Sequence, residues 1–270
     1  MIKLNLLLLF LISIFNTVNF AQFGGGTGSE NNPYIINDAS HFSQIPTYDN
    51  PNIFFKQTAD ITNLVSGLSN FKGTYDGNNY RLNPGSTVIF DKITGTVKNV
   101  RTTLSALQNF SNTIESSGWV QNCEITVSSG VNAYGGAVAL TSAGSIEDTK
   151  VIMEGNASIY GDGTQSAGGI VGEQIGSTSV IMRCSVTGGS ITGGPSRGGI
   201  TGEGVTIINC AANTTMGTGD YSGGIAGKLL YDINPYLIVG YIGDSYFRGS
   251  IQGSGQYRGG ITGYASQFAT

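Results

Sequence analysis

Charged side chains are scarce in this chain: Lys, Arg, Asp and Glu make up 11% of its 270 residues, 13 basic against 17 acidic. Neutralising nucleic-acid phosphates needs a basic face, and none is visible, so a nucleic-acid partner is excluded. Histidine and tryptophan occur once each, as His41 and Trp119. The three cysteines, Cys123, Cys184 and Cys210, stand 61 and then 26 residues apart, which matches no zinc-ligand spacing. An odd number of cysteines cannot close into a full disulfide set. Nor does any stretch beyond the first 21 residues carry a sustained 3.6-residue apolar stripe with caps, so a helical bundle is excluded. One weak helical signal remains in "DASHFSQIP", where Asp38 caps a short helix that Pro46 is expected to end.

Long apolar runs are missing too, apart from Leu4–Phe15 within "MIKLNLLLLFLISIFNTVNFA". One cation, a short apolar core and a polar stretch ending in Ala21 have the shape of a secretory signal peptide. Residues 1–21 are therefore set aside, and the mature chain is expected to be secreted or held at a cell surface, with no membrane span after cleavage.

What the chain has in abundance is glycine, 42 residues of it, arranged as a repeat. "AGGIVGE" at 167–173, "RGGITGE" at 197–203, "SGGIAGK" at 222–228 and "RGGITGY" at 258–264 are near-copies, with a weaker "YGGAVAL" at 134–140. Counting from Gly135, the double glycines recur at steps of 33, 30, 25 and 36 residues. Ahead of them, Cys123, Thr149, Cys184, Cys210 and Ser245 occupy one equivalent position, small each time. The cysteines thus read as a buried ladder, with a Cys184–Cys210 bridge between adjacent repeats left open. Segments such as "CEITVSS", "KVIMEG" and "VTIIN" read as strands of four to six residues between Gly, Asn and Ser corners.

Three short strands and their corners in about 30 residues make one coil of a parallel β-solenoid, stacked at about 4.8 Å on the next. A β-sandwich or propeller would want longer strands. Ile170, Ile200, Ile225 and Ile261 should point inward as an aliphatic column, and the double glycine, which takes positive φ and brings no Cβ, should turn a tight corner while the next coil stacks directly upon it. The expected fold is all-β: a single-stranded parallel β-helix of roughly seven to eight coils. Residues 22–96 form a capping lead-in and first coils, and 97–270 the repeats.

The tetrapeptides "GIVG", "GITG", "GIAG" and "GITG", with "GGGTGSENNPYIINDASHFSQI" and "FKGTYDGNNYRL" before them, resemble the GLUG-motif repeat proteins. That resemblance implies a right-handed β-helix in secreted or surface-attached, adhesin-like chains, sometimes beside a peptidase. The His-Glu-x-x-His metallopeptidase motif is absent, for the lone histidine is His41.

Glu173 and Glu203 follow the third glycine of successive repeats and should stack one coil apart. Retaining glycosidases hold two carboxyls at about 5–5.5 Å, so the pair is a candidate catalytic dyad. Lys228 continues the column, which favours a surface charge row, and a weak Ca²⁺ site would need further oxygens such as Asp162. Asp76 in "YDGNNY" reads as tight-turn chemistry, and Arg197 and Arg258 as surface polarity. Tyr231, Tyr236 and Tyr241, in the long insert after Lys228, are candidate ligand contacts on a loop or extra strand. No cofactor is expected.

The leading functional expectation is a non-enzymatic extracellular β-solenoid, structural or adhesin-like, binding an extracellular glycan or surface protein and open to self-association through its terminal coil. The alternatives are a polysaccharide-processing β-helix enzyme, hydrolase or lyase, and a glycan-binding solenoid.

Overall fold

Short strands with one apolar face cannot be stable singly, and here they are buried by stacking. The computed structural model describes residues 23–217, 219–232, 238–252 and 255–265; residues 1–21 and Tyr236 lie outside them. The architecture is β-helix-like, with four principal sheets of nine, eight, seven and four strands. Within each the pairing is parallel.

One turn of the chain shows the pattern. Ser145–Glu147 lies in the nine-stranded sheet (I), Lys150–Gly161 in the eight-stranded sheet (II), Ala167–Gly168 in the four-stranded sheet (IV) and Val171–Gln174 in the seven-stranded sheet (III). Val180–Met182 then returns to sheet I, with Ser145 paired to Val180. Sheet I runs from Tyr34–Ile36 to Tyr241–Gly243, so the lead-in and the repeats share it.

Alternation puts every second side chain of sheet I inside. Val97, Val120, Ile146, Ile181 and Ile207 follow one another rung by rung, all fully buried. The isoleucines after the double glycines stack as expected. The amide of Ile170 donates to the Ile200 carbonyl (2.8 Å), Ile200 to Ile225 (2.9 Å) and Ile225 to Ile261 (2.8 Å). The first three are fully buried, whereas Ile261, on the last described rung, is 40% exposed. The interior is aromatic at the N-terminal end, where Phe42, Phe55, Phe71, Tyr75 and Phe90 meet, and aliphatic beyond it.

The column of small residues is also present. The amides of Cys123, Cys184 and Cys210 donate to Thr149 Oγ1, Cys210 Sγ and Ser245 Oγ of the next rung at 3.4, 3.4 and 3.0 Å. All three cysteines are buried free thiols, so the Cys184–Cys210 bridge is not formed. Burial pushes the Cys123 thiol up to about 12. The residue before each column member turns the corner at positive φ: Asn122 (50°), Asp148 (50°), Arg183 (54°), Asn209 (53°) and Asp244 (47°). Asn and Asp tolerate this region. At Arg183 the strain is offset by bonds to Asp148 (2.6 and 2.8 Å) and Glu147 (2.8 Å).

Two expectations are corrected. Of the two reasons expected for the double glycines, positive φ is met only at Gly135. The missing Cβ is the reason that holds. A Cβ on Gly198 would lie 2.0 Å from the Thr201 carbonyl oxygen, one on Gly199 2.2 Å from the Gly224 oxygen, and one on Gly227 2.3 Å from the Arg197 nitrogen. Sheets III and IV pack backbone against backbone along this edge, and any side chain would part them. Helix α1, Ala39–Tyr48, is capped as expected by Asp38, whose carboxylate accepts from the His41 amide (2.8 Å), but Pro46 lies inside it. Proline in a last turn forfeits one bond, and the helix ends two residues later. The Asp76 turn is present as expected, the Asn78 amide donating to Asp76 Oδ1 and the Tyr80 amide to the Gly77 carbonyl, both at 2.8 Å. Thr74–Asp76 pairs in sheet I, and Leu82–Pro84 pairs parallel with Ile61–Leu64.

Replacing Gly227 by alanine should destabilise the protein by at least about 1–3 kcal/mol, the usual cost of overpacking. Gly163→Ala, where nothing lies within 4 Å of the added carbon, should be near neutral in the same thermal melts. Equal effects would contradict close backbone packing.

Candidate functional site

The tight edge between sheets III and IV fixes what stands on its outer side. Sheet III carries Thr141, Glu173, Glu203, Lys228 and Tyr264 in register on five successive rungs. Sheet IV and the segment leading into it carry Ser166, Ser196, Tyr221 and Tyr257 alongside, the last three in register. Because the glycines between add no bulk, the two rows touch across the edge.

Glu173 and Glu203 are brought together as the sequence predicts, and they share Ser166. Its amide donates to Glu173 Oε1 and its hydroxyl to Glu203 Oε1, both at 3.3 Å. Ser196 Oγ donates to the same Glu203 oxygen at 3.1 Å, and Lys228 Nζ stands 3.9 Å from Glu203 Oε2. Burial raises Glu173 above its ordinary value near 4.5; the Ser166 amide opposes the shift, and the charge of Glu203 adds to it. Burial at Glu173 and the Lys228 charge beside Glu203 thus give the two carboxyls different surroundings.

At one end of this strip Tyr134 donates to Asp162 Oδ2 at 2.6 Å, and its ring meets Tyr160 at 5.6 Å. Asp162 holds Tyr134 in its protonated form, up to about 12, with burial adding to the effect. In return, Tyr134 and the donors of Thr164 and Gln165 keep Asp162 well below the usual carboxylate range. Asp162 thus serves its own turn and Tyr134. Among the described residues, no three His, Cys, Asp or Glu side chains gather as metal ligands. At the other end Tyr221 stacks on Tyr257 (5.1 Å, 11° between planes), and Tyr264 packs against both at 5.3 and 5.4 Å.

Arg197 is not a surface residue. It is 1% exposed, and its guanidinium fills the space beneath Gly219, where an added Cβ would lie 0.7 Å from it. Burial lowers its pKa and the charge of Asp220 opposes that shift. Arg258, in the same column, is exposed. Of the tyrosines expected to contact ligand, Tyr231 begins an antiparallel pairing with Val239, the extra strand expected of the insert. Tyr241 is 55% exposed on sheet I, away from the glutamates, and Tyr236 lies outside the described residues. Sequence reasoning missed Ser166 and Ser196, although each stands seven residues before its glutamate and so carries a readable signal.

No protein-family model matches the chain, and no curated protein matches it. Among the solved structures that share its fold are the following two. One, from Bacteroides ovatus and provisionally named an immunoglobulin A1 protease, is 20% identical with a TM-score of 0.61, over 91% of this chain and 87% of that one. The other, named IgA1 protease, is 15% identical with a TM-score of 0.59. It matches 87% of this chain, which spans only 20% of its length. At these identities the likeness is one of fold. It nonetheless corrects the expectation of a non-enzymatic protein, because chains of this fold carry protease names.

The raised Glu173 has a signed consequence. The folded state binds its proton more tightly than the unfolded chain, so its contribution is fully present below pH 4.5 and lost as pH rises through the raised value. Glu173→Gln should therefore gain thermal stability relative to the parent between pH 4 and pH 7. A difference unchanged between those pH values would show that Glu173 is not shifted.

Proposed function

We propose that this chain is an extracellular β-helix recognition module that docks a protein partner along the strip between sheets III and IV. One observation carries the reading: a rigid edge presents tyrosines at both ends of a half-buried row of serines, glutamates and one lysine. Tyrosine supplies large contact area at little entropic cost, and protein-binding surfaces are enriched in it. Tyr160 and Tyr257 are 37% and 42% exposed, so the rings remain open to a partner.

The names of the fold neighbours suggest which partner to try first. Immunoglobulin A1 is a protein met outside cells, in keeping with the secretory character of residues 1–21. A module of this size within a chain five times longer would serve to hold a substrate for the rest of that chain. The GLUG resemblance and a right-handed wind belong to the same reading. Handedness is supported by the strong preference of parallel crossover connections.

Binding of immunoglobulin A1 to the immobilised chain, by biolayer interferometry, tests this, with electrophoresis of the mixture to register cleavage. Tyr257→Ala and Tyr160→Ala should each weaken binding about tenfold, the scale of an interface anchor. Binding indifferent to both substitutions, or no binding to immunoglobulin A1 or to a panel of extracellular glycoproteins, would remove the proposal.

A further inference from the structure

A cavity of about 400 Å³ opens on the outer face of sheet I near its N-terminal end, remote in sequence from the glutamate strip. Its floor is apolar, made by Ile35, Pro33 and Phe54, and its polar lining includes Lys56, Asp76, Lys98 and Glu30. The parallel register builds it. Ile35, Lys56, Asp76 and Lys98 occupy one outward column on four successive rungs, with Phe54 and Thr74 paired beside them. The wall carrying Glu30 is a fixed loop. Asn32 accepts the amides of Thr27 and Gly28 at 2.9 and 3.0 Å, and Gly28 accepts that of Phe54 at 2.9 Å.

The charges in this column are not paired with one another. Lys56 and Lys98 flank Asp76 one rung away on either side, yet neither ammonium has a carboxylate within 4.0 Å among the described residues. Asp76 Oδ1 is already occupied by the Asn78 amide and Asn99 Nδ2, both at 2.8 Å. The cavity therefore offers two ammoniums about two rung spacings apart, roughly 10 Å between backbones. An apolar shelf and several hydroxyl-binding groups lie with them. Ammoniums suit an anion, the shelf suits the face of a saturated ring, and Thr74, Glu30 and the remaining Asp76 oxygen suit hydroxyls.

We infer that this cavity binds an acidic sugar, a pyranose unit bearing a carboxylate. The carboxylate lies between Lys56 and Lys98 and the ring lies on Phe54. This site is independent of the partner strip, so either assignment stands or falls without the other.

Calorimetric titration of the full chain with glucuronate and with N-acetylneuraminate tests it, using glucose, acetate and free lysine as comparison ligands. At least one sugar acid should bind, with glucose and acetate each about tenfold weaker or more, the equivalent of one charge-assisted hydrogen bond. Lys56→Gln and Lys98→Gln should each weaken the sugar acid about tenfold, whereas Lys228→Gln on the strip should leave it unchanged. Should a lysine variant fold poorly by circular dichroism, the salt series on the parent protein decides: added salt should weaken the sugar acid and leave glucose unaffected. Acetate binding as tightly as the sugar acids, free lysine binding more tightly, or salt-independent binding would each overturn the assignment.

Discussion

Backbone contact between sheets III and IV, without intervening side chains, is the constraint on which the rest of the structure depends. Each repeat folds back on itself at Gly-Gly-Ile, and a Cβ on the third glycine would enter the backbone of the preceding repeat, as at Gly227 against Arg197. That contact fixes the height of every rung along one edge. Once the height is fixed, the Ile170–Ile200–Ile225 column, the buried thiols and the paired glutamates follow from register alone. Little bulk is buried per repeat, so aligned hydrogen bonds carry much of what a larger side-chain core would supply elsewhere.

The same narrowness decides where chemistry can stand. Inside the edge stands the buried isoleucine column, whereas outside it two rows of side chains are held within hydrogen-bonding reach. Ser166 is the clearest case, bonding a glutamate of its own repeat and one of the next. A partner or substrate meeting this strip meets groups already placed, which lowers the ordering cost of recognition. The outer face of sheet I works differently. Its columns place Lys56 and Lys98 in a cavity with no ion pair to either among the described residues, the basis of the inferred acidic-sugar site.

Much of the stack was legible in the sequence, because equivalent positions recur at nearly constant spacing. The isoleucine and small-residue columns and the Glu173–Glu203 pairing all follow from counting along the chain. Which of their two expected purposes the glycines serve was not, since a residue chosen for space and one chosen for positive φ look alike in one dimension. Arg197 was misread because nothing near it in sequence announces that the 219–220 turn closes over it. The positive-φ corner was within reach. Asn122, Asp148, Asn209 and Asp244 directly precede the small column, and only Arg183 obscures the pattern. Tyr134 and Asp162 lie 28 residues apart, a pairing visible only once the rungs are stacked.

Distances along one column test the stacking most directly. Lys92, Thr113, Thr141, Glu173, Glu203 and Lys228 are paired in succession, so Lys92 and Lys228 stand five rungs apart. Spin labels at those two positions should give one narrow electron–electron distance near 24 Å from about 4.8 Å per rung, and labels at Lys92 and Glu173 one near 14 Å. Broad distributions, or distances that do not grow in proportion to the number of rungs, would contradict in-register stacking.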